Sequence, residues 1–140
     1  MNMAPALAVH QPSGIHILAD FYGIAPAFLS DQTSIQTVLL HSAEVANANI
    51  VMSHFHSFGI GLGITGVVML EESHISIHTW PEYGFAALDI FMCGQADGQR
   101  ALQALQDAFL PLSTRIHTRS RGCENATLNT IMNNSITSTL

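Results

Sequence analysis

EESHISIHTWPEYGFAALDIFMCG, Glu71 to Gly94, carries two carboxylates, a serine, two histidines and a cysteine on strand-like sequence. In HISIHTW the apolar Ile75 and Ile77 alternate with polar residues, the period of a half-buried strand. PEYG reads as a turn, and FAALDIFMCG (Phe85–Gly94) as another strand. VVMLEE, just before, is also strand-like. Neighbouring strands joined by short turns predict antiparallel pairing. The polar residues leave three chemistries open: a metal site, a nucleophile with its base, or strand positions with no chemical task.

Working outward, GIHILADFYG (Gly14–Gly23) reads as a strand ended by glycine. SDQTSIQTVLLHSAEVANAN has Ser30 or Asp31 as an N-cap, and Ile35, Val38, Leu39 and Val45 keep helical spacing. IVMSHFHSF (Ile50–Phe58) is a strand and GIGLGITG (Gly59–Gly66) a glycine-rich loop. DGQRALQALQDAF (Asp97–Phe109) is a second amphipathic helix, with Leu102, Leu105 and Phe109 on one face. LSTRIHTRS is a last strand. Residues 1–13 read as a loose lead-in and 123–140, rich in Asn, Ser and Thr, as a mobile tail. The order β-α-β-β-β-β-α-β predicts an α+β fold: a two-layer sandwich of a mostly antiparallel sheet with two helices on one face. The other face then needs cover, and a second subunit giving an αββα dimer supplies it.

Composition narrows the function. The 140 residues are 48% hydrophobic and only 10% charged, with a formal charge of -6. The cations are Arg100, Arg115, Arg119 and Arg121, with no lysine. So few cations argue against nucleic-acid binding. Without lysine, pyridoxal phosphate cannot be held in its usual Schiff base. The first residues, MNMAPALAVHQPSG, lack a cationic n-region, and no apolar run approaches a membrane span. Cys93 and Cys123 make no disulfide framework, which predicts a cytoplasmic protein with free thiols.

For a metal, His54 and His56 share one strand face, and so do His74 and His78. Four histidines on two strands have the donors for zinc, copper or iron; the alternative for each is an ordinary hydrogen-bonded strand histidine. For a hydrolase, Ser73 lacks a G-x-S-x-G elbow. His78 stands five residues on, up to about 16 Å along a straight strand, and strict alternation puts it on the opposite face. A partnership of Ser73 with His78 therefore needs a bend near Ser73, or a break in the chain.

The segment Glu72 to Gly94 resembles the self-processing site of the prokaryotic pyruvoyl-dependent S-adenosylmethionine decarboxylases: Glu-Ser-His, then His-Thr-Trp-Pro-Glu, then an Asp before Cys-Gly. The likeness extends to FHSF, TGVV and GIHILADFYG, about Gly14 to Gly122. The resemblance implies a zymogen that cuts its own Glu72–Ser73 bond. Ser73 Oγ would attack the Glu72 carbonyl to give an ester; loss of the α-proton and β-elimination would leave a dehydroalanine that hydrolyses to a pyruvoyl group. The products would be a β chain, residues 1–72, and an α chain, residues 73–140. A pyruvoyl group from Ser73 would hold the substrate amine as a Schiff base and accept electrons as CO₂ leaves. The implied roles are processing base for His78, proton donor for Cys93, adenine stacking for Phe58 and ribose binding for Glu82. Thr65 stands where the family has a serine and keeps a hydroxyl for the processing intermediate. Trp80 and Pro81 are expected to be structural.

The loop FHSFGIGLGITG departs from the family's F-H-x-F-x-P-x-G-x-S-G: the proline is missing and one residue is inserted. The reading is a lyase that decarboxylates S-adenosylmethionine for spermidine biosynthesis, acting as a homodimer of processed protomers. One alternative on the same scaffold is an ornithine or arginine decarboxylase, with Asp20, Glu71 or Glu82 facing the distal cation. Another, of a different class, is a histidine-rich metal-binding module.

Overall fold

The computed structural model describes residues 12–122. The expectations for a lead-in and for the tail 123–140, including Cys123, fall outside the described residues, apart from Pro12 and Ser13. Six strands form one antiparallel sheet: β1 Ser13–Tyr22, β2 Ile50–Ser57, β3 Ile64–Leu70, β4 Ser73–Trp80, β5 Phe85–Cys93 and β6 Ser113–Gly122. Their order is β2-β3-β4-β5-β1-β6. β1 lies between β5 and β6, paired to both along nearly its whole length. The α+β architecture expected from the sequence is the one observed.

Two long helices, α2 (Gln32–Val45) and α3 (Gly98–Phe109), pack on one face, preceded by a single-turn helix, α1 (Pro26–Leu29). Of the two candidate caps it is Asp31 that starts α2, accepting from Ser34 N at 3.1 Å. Asp97 caps α3, accepting from Gln99 N at 3.0 Å. Alternation puts Ile17, Ala19 and Phe21 of β1, Ile75 and Ile77 of β4, and Leu88 and Ile90 of β5 on the helix side, all buried. Ile35 and Leu39 from α2 and Leu105 and Phe109 from α3 close that core.

Three details differ from the sequence reading. The turn α1 was missed, because PAFL is too short to show a period; Pro26 at its start favours it. The glycine-rich loop ends at Gly63, so Thr65 and Gly66 belong to β3. Gly66 sits under the ring of Phe55, against which any β-carbon would collide; this close approach, not chain freedom, accounts for the glycine. The turn PEYG contains a 3-10 turn, Pro81–Tyr83, with Pro81 buried.

The opposite face of the sheet carries no helix among the described residues. Its cross-strand rows read His56, Thr65, His78, Ala87, Asp20, Arg115 and, nearer the other end, Met52, Met69, His74, Phe91, His16, Arg119. No helix among the described residues is long and apolar enough to cross a membrane.

Candidate active site

The bond Glu72–Ser73 lies at a hairpin tip. Leu70 pairs with Ser73, leaving Glu71 and Glu72 as a two-residue turn between β3 and β4. Glu72 has φ 58°, a left-handed conformation that is costly for a residue with a β-carbon. Ser73 Oγ donates to Glu71 O at 3.1 Å. Asn49, which sequence reasoning did not single out, braces the tip: its side chain donates to Glu71 Oε2 at 2.9 Å, and its carbonyl accepts from Glu71 N at 3.0 Å.

Cys93 ends β5 at the same end of the sheet. Burial pushes its thiol pKa up, and the Glu72 carboxylate adds to the shift. The register explains the proximity: His74 pairs with Phe91, which brings Glu72 toward Cys93. Gly14 pairs with Cys93 across β1, and a β-carbon there would stand 2.7 Å from the sulfur. The thiol is thus seated against bare backbone, a requirement that could be found only once the β1–β5 register was known.

Thr65 and His78 face each other on β3 and β4, with Thr65 Oγ1 2.9 Å from His78 Nδ1. They line a groove of about 700 Å3 with Phe58, Leu62, Trp80 and Glu82. Phe58 is 61% exposed, so it offers its ring to the groove rather than to the core. Its edge meets His56, with ring centroids 4.8 Å apart. Trp80, expected to be structural, has one face stacked on Phe85, 5.3 Å between centroids, and also borders the groove. Of Asp20, Glu71 and Glu82, Glu82 alone lies in it.

Within one chain these residues form two groups at opposite ends of β4. Ser73, Glu72 and Cys93 are at its start; Thr65, His78, Phe58 and Glu82 are near its end. Four strand residues separate Ser73 from His78, a span of roughly 16 Å, and their side chains leave opposite faces, as alternation predicts. The four-histidine metal reading does not hold: β3 separates the β2 pair from the β4 pair, and among the described residues no three His, Cys, Asp or Glu side chains converge.

A sequence model of the family described as S-adenosylmethionine decarboxylase matches residues 15–122. The chain belongs to this family. It is 44% identical over 97 residues to the S-adenosylmethionine decarboxylase proenzyme of Thermodesulfovibrio yellowstonii, covering 69% of this chain and 71% of that protein. It is 37% identical over 112 residues to the proenzyme of that name from Pyrococcus furiosus, covering 79% and 80%. Among solved structures, the adenosylmethionine decarboxylase of Aquifex aeolicus matches with a TM-score of 0.74 and 35% identity, over 81% of this chain and 93% of that one. The resemblance drawn from the Glu72–Gly94 motif is therefore supported over nearly the whole described region.

Proposed function

We propose that this chain is a self-processing, pyruvoyl-dependent S-adenosylmethionine decarboxylase, a carboxy-lyase serving polyamine synthesis. The observation that carries the reading is the hairpin tip. A serine follows a glutamate held in a left-handed conformation, with a cysteine thiol beside it. Such a backbone costs on the order of 1 kcal/mol or more, and cutting Glu72–Ser73 releases it. The strands flanking the tip keep their ladders after the cut, so the site survives its own cleavage. These residues fit a ketone generated in place from Ser73.

The pyruvoyl group would supply the electron sink for loss of CO₂. The chain's own residues supply the rest. Cys93, whose raised pKa keeps the thiol protonated, is the proton donor to the substrate carbon. Phe58 offers a ring face for adenine, and Glu82 a carboxylate for the ribose hydroxyls. His78, oriented by Thr65, removes the Ser73 α-proton during processing, with Nδ1–H donating to the Thr65 hydroxyl oxygen and Nε2 left as the base.

The two groups must meet, and one chain cannot fold them together. Cys93, Thr65 and His78 all stand on the helix-free face. A two-fold axis between two such faces, running across the strands, exchanges their ends. It lays Thr65 and His78 of one copy over Ser73 and Cys93 of the other. A homodimer of this kind, with two composite sites, covers the open face and gives the αββα arrangement.

The groove, lined by the rings of Phe58 and Trp80 and by the Glu82 carboxylate, suits a nucleoside better than a diamino acid, and the relatives named above do not point to ornithine or arginine. The test is to incubate purified protein with S-adenosylmethionine, ornithine and arginine together and follow CO₂ and amine products. Denaturing mass spectrometry on the same sample should show two chains meeting at Glu72–Ser73. Putrescine or agmatine without decarboxylated S-adenosylmethionine overturns the substrate, and a single intact 15.1 kDa chain in an active sample overturns the cofactor.

A further inference from the structure

Cleavage leaves β4 with a loose end beside the chemistry. Before the cut the hairpin tip tethers Ser73; afterwards residue 73 is a chain terminus, and strand termini fray unless something holds them. His74 is the first residue whose side chain can do so. Its ring lies edge-on to His16, with centroids 6.2 Å apart, and tilted against Phe91 at 5.8 Å. Met69 flanks it from β3.

The wall behind His74 is itself fixed from three strands. His16 Nε2 donates to Asp89 Oδ1 at 3.2 Å, while Arg121 Nη1 donates to His16 Nδ1 at 3.3 Å. When His16 is neutral, these two bonds place its proton on Nε2. The Arg121 guanidinium also lies 5.6 Å over the Phe91 ring, a cation–π contact. Thus β1, β5 and β6 hold a socket for one side chain of β4, immediately next to the processed residue.

Resting on the processing reading above, we propose that His74 is a positioning residue: its ring, seated against His16 and Phe91, keeps the new terminus of the α chain in register with Cys93 after Glu72–Ser73 is broken. A merely structural residue would matter equally before and after the cut, whereas this one matters only after it. The experiment compares hydrogen exchange at the amides of residues 75–77 in two backgrounds, the processed protein and the uncleavable Ser73→Ala chain. In the processed protein His74→Ala should speed exchange on the order of tenfold, and in the Ser73→Ala chain leave it unchanged. The same change should lower kcat by roughly tenfold or more, through misplacement of the reacting group. His74→Phe, which keeps a ring, should restore both.

His16→Ala empties one wall of the socket without altering β4, and should reproduce the difference if His74→Ala fails to fold. Equal exchange effects in both backgrounds, or a processed His74→Ala with wild-type exchange and kcat, overturn the proposal. A wild-type chain that never cleaves fails the processing reading instead, and the proposal falls with it.

Discussion

Thr65 Oγ1 and His78 Nδ1 stand 2.9 Å apart on adjacent strands, yet the bond they are assigned to help cut lies five residues away on the other face of β4. The pairing fixes the ring of His78 and leaves Nε2 to act elsewhere. His78→Ala should therefore stall processing, with the uncut chain dominating the denatured mass spectrum. Thr65→Val should slow it and Thr65→Ser should restore it. Rapid, complete cleavage in both His78→Ala and Thr65→Val would remove the pair from processing.

A composite site makes a sharper prediction in mixtures. Ser73→Ala and His78→Ala should each disable self-cleavage when expressed alone. Co-expressed with distinct tags, they should form mixed dimers in which the His78→Ala chain is cut by the partner's His78. Mass spectrometry of the doubly tagged fraction reads this directly. No cleavage in that fraction would place Ser73 and His78 in one chain's site.

The alkaline limb of decarboxylation should follow Cys93. Burial and then Glu72 raise its pKa, so the donor keeps its proton further into the alkaline range than a free thiol does. Gly14→Ala, whose β-carbon would strike the sulfur, should displace the thiol and lower kcat while leaving cleavage at least partly intact. A fully cleaved, fully active Gly14→Ala would contradict the seating of Cys93.

Acid should weaken the socket around His74. Burial lowers its pKa first, with the charges of His16 and Arg121 adding and Asp89 opposing; Arg119 also faces this row. With the folded pKa below the unfolded value, the unfolded chain binds the extra proton first. Stability tied to His74 is whole above about pH 6.5 and declines as pH falls through that value toward the folded pKa. The melting temperature of His74→Phe should fall less than that of wild type over this window, and parallel curves would count against it.

Thr79 is a buried hydroxyl joining three elements: it accepts from Ile64 N at 2.8 Å and donates to Leu29 O at 2.8 Å. Thr79→Val leaves both backbone groups without that partner. It should cost roughly 2 kcal/mol or more, a drop of about 10 °C in melting temperature for a domain of this size. An unchanged melting temperature would show that water replaces the hydroxyl.

By itself the sequence determined the periods and the breaks. Alternation in residues 73–80 and 85–93, helical spacing after Asp31 and Asp97, and the turns between them were enough for six strands, two long helices and the α+β class, because local sterics and burial patterns act within a few residues. The Glu72–Gly94 motif likewise named Ser73, His78 and Cys93, since their chemistry depends on residue type and order. Only the tertiary structure decided which strands neighbour which. It placed β1 between β5 and β6, and so brought Gly14 to Cys93, His16 to His74, and Arg121 to both His16 and Phe91. It also put Thr65 opposite His78 while leaving Ser73 at the far end of β4. Register between strands distant in sequence is set by the summed packing of the whole sheet and its helices, and no short stretch contains that sum.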